Sequence, residues 1–254
     1  MPLTDTETKI VHPAQWRAQF PAALTLRLGD KVSFAELAEL AEGGKLKGLK
    51  WFSVQDVSFG RDADKVRLLA RALEHMPALE TFVMSQKPIG ESMPLLALSA
   101  LTPSLRALDL TELRSWPSCA ELVTGRMKQL EVLTLHHCLD MEAAARTSFS
   151  HPFPPTLRSL DLGENNIGPL AMAALEACLR QRPLDHLERL VLDGNDLGTG
   201  NGSYESLLAA LAHVPKLKVL SLKKNGGLAD YDKLQDIKDA VPGCKVLFFS
   251  DDKE

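Results

Sequence analysis

The chain has 254 residues, 45% of them hydrophobic, and a formal charge of -4 from 33 acidic and 29 basic side chains. That length buries the core of one large domain or two ordinary ones, and a slightly acidic balance supplies no net field toward nucleic acid or an anionic membrane. No run approaches the roughly 20 apolar residues that a membrane-spanning helix requires.

The opening MPLTDTETKIVHPAQW carries Asp5 and Glu7 and no apolar stretch, so it does not read as a secretory signal. Next, PAQWRAQF places Trp16 and Phe20 at i, i+4 spacing, a candidate capping helix within residues 1–22. From Ala23 onward one pattern recurs. It is degenerate in AALTLRLGDKVSF, weak in LKWFSVQDVSFG from Leu49 and LETFVMSQKPIG from Leu79, and clear in LRALDLTELRSW from Leu105 and LEVLTLHHCLDM from Leu130. It is clearest in LRSLDLGENNIG from Leu157, LERLVLDGNDLG from Leu187 and LKVLSLKKNGGL from Leu217, and it ends in CKVLFFSDD, placed in register from Cys244. The steps between first positions are 26, 30, 26, 25, 27, 30, 30 and 27 residues.

Between these strings the apolar spacing is helical, as in residues 62–76, 168–182 and 203–214. Leu68, Leu69, Ala72 and Leu73 form one stripe, and Leu207, Leu208 and Leu211 another. Proline stands two residues before the first position at Pro21, Pro77, Pro103, Pro155, Pro215 and Pro242. There it ends the preceding helix and turns the chain toward the next strand. Each unit therefore reads as a short strand, a turn and a helix.

The strings LxxLxLxxN, with Asn165, Asn195 and Asn225 at the ninth position and Cys138 as the alternative residue there, resemble those of leucine-rich repeat proteins of the ribonuclease-inhibitor-like subfamily. The resemblance implies an α/β solenoid of horseshoe form, with a curved parallel sheet on the concave side and helices on the convex side. Residues 23–250 form the repeat domain of about nine units, preceded by the capping segment 1–22 and followed by the charged tail 251–254. Positions 1, 4 and 6 point into the core, positions 3, 5 and 7 onto the concave face, and position 8 to its rim. The ninth-position Asn would form a ladder, since a buried carboxamide both donates and accepts. Lys31, Val57, Lys87 and Leu113 depart from it, which predicts irregular turns in the N-terminal half.

Candidate chemistry is sparse. Gly198, Gly200 and Gly202 lie in a strand-to-helix connection, but no Gly-Lys-Ser/Thr follows and the spacing is not that of a dinucleotide loop; a surface turn is the expected role. His136, His137 and Cys138 are the one cluster of metal-ligand types, yet strand neighbours point to opposite faces and cannot easily share an ion. Cys119, Cys138, Cys178 and Cys244 lie 19, 40 and 66 residues apart with no Cys-x-x-Cys pair, which favours free thiols and a cytoplasmic setting. No catalytic residue, metal site or cofactor is predicted.

The remaining feature is the concave face, where Asp109, Glu112, Asp161, Glu164 and Asp193 converge around His136 and the C-terminal end turns basic. Trp51, on a strand expected to be exposed, reads as an interface anchor, and Arg189 completes the candidate partner-binding set. The expected function is a non-enzymatic protein-interaction module with a partner of basic surface, binding neither nucleic acid nor membrane. The alternative is a GTPase regulator, because Ran GTPase-activating proteins share this repeat type.

Overall fold

The computed structural model describes residues 25–28, 34–55, 63–85, 97–112, 116–138, 147, 149–198, 202–228 and 230–249. The N-terminal capping segment, Gly200, the ninth positions at 31, 57, 87 and 113, and the charged tail lie outside these residues.

Among the described residues, nine strands form one open sheet in sequential order. They are β1 Thr25–Leu28, β2 Trp51–Gln55, β3 Thr81–Ser85, β4 Ala107–Thr111, β5 Val132–Thr134, β6 Ser159–Asp161, β7 Arg189–Val191, β8 Val219–Ser221 and β9 Lys245–Leu247. Every neighbouring pair is parallel, so the chain must cross back after each strand. The helices lie in these crossovers: α1 Phe34–Glu42, α2 Ala63–Glu74, α3 Trp116–Arg126, α4 Pro169–Gln181, α5 Ser203–Leu211 and α6 Tyr231–Ala240. The helix α2 buries the stripe Val66, Leu69, Ala70, Ala72 and Leu73.

The predicted register holds from β1 to β8, with Thr25, Trp51, Thr81, Ala107, Val132, Ser159, Arg189 and Val219 aligned at position 3. It fails by one residue in the last unit, where Lys245 and not Val246 pairs with Val219. The reason is packing: this register sends Val246 and Phe248 against the core and leaves Phe249 59% exposed, as the alternation of the two phenylalanines requires.

Positions 1, 4 and 6 build one continuous core, Leu157, Leu160 and Leu162 being fully buried, and the Phe52 and Phe82 rings stack across repeats at 5.8 Å. The prolines act where their fixed φ suits a turn. The amides of Leu79, Leu105 and Leu217 bond back to the carbonyls of Met76, Thr102 and Val214, which puts Pro77, Pro103 and Pro215 at the second position of a β-turn.

The ladder of ninth-position side chains is present. Asn165, Asn195 and Asn225 each donate from Nδ2 to the position-6 carbonyl of the previous repeat, at 2.7, 3.0 and 2.8 Å. Cys138 makes the same contact, Sγ to the Leu110 carbonyl at 2.8 Å. In return the Asn165 carboxamide oxygen accepts from the Cys138 amide, and that of Asn195 from the amides of Asn165 and Ile167. Backbone polar groups left behind where each strand turns are thereby satisfied inside an apolar layer.

Gly198 serves packing. A Cβ at Gly198 would lie 1.9 Å from the Gly226 carbonyl oxygen, so the connection after β7 touches that after β8 backbone to backbone. Gly202, at φ +97°, turns the chain into α5.

Candidate functional site

Because positions 4 and 6 face the helices, positions 3, 5 and 7 display their side chains on the opposite face, with adjacent strands about 4.8 Å apart. Position 5 reads Asp109, Thr134, Asp161 across β4 to β6, in direct register. Position 7 follows with Thr111, His136, Gly163, Asp193 and Lys223.

Each carboxylate is held by its own or the next strand. The Thr111 hydroxyl donates to Asp109 at 3.0 Å, the Gly163 amide to Asp161 at 2.9 Å, and the Lys223 amide to Asp193 at 2.8 Å. Gly163 has a second role. A Cβ there would meet His136 Cδ2 at 3.0 Å and Asp161 Oδ1 at 3.2 Å, so the missing side chain lets the imidazole lie beside Asp161.

Burial pushes the Asp109 carboxyl up to about 6; the Thr111 hydrogen bond opposes this and the Asp161 charge adds to it. Asp161 is also raised by burial, against the Gly163 amide and the charges of Arg189 and His136, with Asp193 acting in the same direction as burial. The face therefore contains two half-buried carboxyls on either side of Thr134, and the charge of Asp161 bears on Asp109.

The structure brings Asp109, His136, Asp161, Arg189 and Asp193 together. It does not leave Arg189 open to solvent: the residue is 4% exposed. Nor is Trp51 an exposed anchor, since it is 7% exposed and lies on β2, two strands from Asp109. The period-two pattern assigns its face correctly but cannot report how deeply the neighbouring rows bury a wide ring. Glu112 is exposed at the edge of the face, and Glu164 is turned away from the centre into an ion pair with Lys224 at 3.2 Å.

Two features escaped the sequence reading. The eighth residue of five consecutive units is left-handed: Glu112 at φ 60°, His137 at 56°, Glu164 at 54°, Gly194 at 62° and Lys224 at 56°. This conformation is costly for L-residues, and it directs the amides of Glu112, His137, Glu164 and Gly194 onto the position-7 carbonyls of the next repeat at 2.7–3.0 Å. The second is a row of alternating charge at position 2. Lys50 pairs with Glu80, Arg106 with Glu131, and Glu188 with both Arg158 and Lys218, at 2.6–2.8 Å. The alternation of sign was visible in the repeat alignment, just before each strand.

Among the described residues no group of three His, Cys, Asp or Glu side chains is placed to hold a metal ion. No helix among them is long and apolar enough to cross a membrane.

A family model described as a leucine-rich repeat matches residues 153–175. No curated protein matches the chain. Among solved structures, a Bacteroides fragilis protein is similar with 17% identity and a TM-score of 0.55 over 91% of this chain and 66% of that one. A chain of the yeast Rad7 and Elc1 complex is similar with 18% identity and a TM-score of 0.53 over 86% of this chain and 57% of that one. The chain thus spans just under two thirds of the first and little more than half of the second. Sequential parallel strands, a ladder of ninth-position side chains, the matched unit and this shared architecture give the chain the fold of a leucine-rich repeat solenoid.

Proposed function

We propose that the chain is a non-enzymatic protein-interaction module, of the ribonuclease-inhibitor-like type by its steps of 25–30 residues, that binds a protein partner through the face opposite the helices. The observation that carries this reading is the gathering of Asp109, His136, Asp161, Arg189 and Asp193 on four successive strands or the turns just after them. Charged groups on neighbouring strands sum their fields, and a parallel sheet presents them without an intervening loop. A basic partner surface complements the three aspartates. The yeast structure it resembles is a complex between proteins, which fits a scaffold of this kind used for binding. The described cysteines, Cys138, Cys178 and Cys244, are free thiols, in keeping with a reducing cytoplasm.

The test is capture from the native host with three baits: the wild type, a face variant carrying Asp109→Lys, Asp161→Lys and Asp193→Lys, and a helix-side variant carrying Glu121→Lys and Glu205→Lys. A protein held by the first and third baits and lost from the second is the expected result. Binding that survives on the face variant, with circular dichroism unchanged, would refute the use of this face.

A further inference from the structure

From β5 to β7 a backbone amide of every turn is tied to the ladder Asn of the next unit. At position 9 the amides of Cys138 and Asn165 donate to the next carboxamide oxygen, at 2.7 and 3.1 Å, and at position 11 those of Ile167 and Leu197 do so at 2.9 and 3.4 Å. Each of these units keeps at least one such bond, and the β8 unit keeps none. The amides of Asn225 and Gly227, its ninth and eleventh residues, have no acceptor among the described residues. The position-8 amide fails in the same turn. Those of Glu112, His137, Glu164 and Gly194 donate to the position-7 carbonyl of the next unit, but the Lys224 amide makes no such bond, although its φ of 56° matches the 54° of Glu164. An amide without an acceptor costs free energy unless another group supplies one, and Asn225 is only 8% exposed.

A cleft of about 370 Å³ opens at this turn, lined by Leu222, Asn225, Gly226, Leu228, Phe248 and Phe249, so it lies between the turn after β8 and the residues that follow β9. The β9 unit is in register up to that point: Leu247 stands opposite Ser221, and its carbonyl accepts from the Leu222 amide at 2.8 Å. In the three preceding units the ladder Asn stands four residues beyond the same row of the sheet, Asn165 after Asp161, Asn195 after Val191 and Asn225 after Ser221. Four residues after Leu247 is Asp251. Under the register that starts the last unit at Cys244, the ninth position would fall on Asp252 instead. A carboxylate only accepts, whereas a ladder Asn also donates from Nδ2. No donor is called for here, because the Leu222 carbonyl already accepts from Asn225 Nδ2 at 3.0 Å. What this turn lacks is an acceptor, and a carboxylate takes backbone amides in stronger, charge-assisted bonds than a carboxamide does.

We propose that the Asn225 and Gly227 amides are a carboxylate-binding seat and that its occupant is the side chain of Asp251, which supplies the last acceptor of the ladder. The charged segment 251–254 thereby gains a role in closing the cleft beside Phe248 and Phe249. The proposal is independent of which face of the sheet binds a partner.

The experiment uses the full chain and follows hydrogen exchange at the Asn225 and Gly227 amides by NMR in the wild type, Asp251→Ala, Asp251→Asn and Asp252→Ala. Both amides should be protected in the wild type, and protection should fall at least about tenfold in Asp251→Ala, the loss of a charge-assisted bond. Asp251→Asn should keep the protection, since a carboxamide oxygen also accepts, and Asp252→Ala should leave it within about twofold of the wild type. The Asn165 and Ile167 amides, inside the ladder, report on the fold and should not change. Unprotected Asn225 and Gly227 amides in the wild type, equal protection in the wild type and Asp251→Ala, or a loss in Asp252→Ala alone would each overturn the proposal. So would a loss in Asp251→Ala shared equally by the Asn165 and Ile167 amides. Acetate added to the wild type tests for an external occupant: no saturable shift of the two amide resonances is expected, and one at millimolar acetate would show the seat open and remove Asp251 from it.

Discussion

Removing Asn195 should be among the most damaging single truncations of a polar side chain in this fold. Its carboxamide accepts from the amides of Asn165 at 3.1 Å and Ile167 at 2.9 Å, and donates to the carbonyls of Leu162 at 3.0 Å and Leu192 at 2.9 Å. In Asn195→Ala the Leu192 carbonyl keeps a partner, because Asn225 Nδ2 also reaches it at 2.8 Å. Two amides and the Leu162 carbonyl lose theirs inside a buried layer. At about 1–3 kcal/mol for each orphaned group, and with some relaxation, the expected loss is about 3–5 kcal/mol. Urea unfolding followed by circular dichroism measures it, and hydrogen exchange localises it: the amides of Asn165 and Ile167 should lose protection first. Asn166→Ala is the control, an exposed left-handed residue at φ 52°, which should cost about 1 kcal/mol from backbone strain alone. If Asn195→Ala costs no more than that control, or if exchange rises evenly over the chain, the ladder does not hold neighbouring repeats together.

Asp109→Asn should stabilise the protein at neutral pH. The folded state binds the Asp109 proton more tightly than the unfolded chain, with a pKa raised from 3.8 to about 6, so the wild type loses this stability as pH rises through that window. The variant does not titrate there; its advantage should be near zero at pH 4 and reach about 1–2 kcal/mol above pH 7, discounted for partial exposure. Paired urea titrations at the two pH values check this, and a penalty independent of pH would contradict it. Gly198→Ala drives a Cβ to 1.9 Å from the Gly226 carbonyl and should cost about 2 kcal/mol or more, read as a lower melting temperature; a neutral outcome would show that this turn can move apart. Glu188→Gln leaves Arg158 and Lys218 facing one another without the carboxylate that bridges them at 2.8 Å on either side. A loss of about 1–2 kcal/mol that shrinks in 1 M salt is expected, and a salt-independent loss would mark a packing effect instead.

Much of this molecule is written in the spacing of its leucines. The position of each strand from Thr25 to Ser221, the face each residue takes and the role of Asn165, Asn195 and Asn225 follow from a pattern repeated often enough to exclude chance. The one-residue error at the last unit arose where the pattern is weakest, since CKVLFFS offers apolar side chains on both faces and either register buries some of them. The depth of Trp51 and Arg189 was illegible for a related reason. Alternation assigns a side chain to a face, but its exposure depends on the rows beside it, which lie 25–30 residues away in the chain.

The sequence by itself determined the architecture, because a repeated unit that cannot bury its own apolar side has to stack on copies of itself. It also named the acidic residues of the helix-free face. Only the tertiary structure decided which of them act together: Glu164 leaves the group for Lys224, while Asp109 and Asp161 stand on either side of Thr134 and the Asp161 charge adds to the proton affinity that burial gives Asp109. Those outcomes depend on distances of a few ångströms between different repeats, where burial and charge act at once, and no periodicity along the chain encodes them.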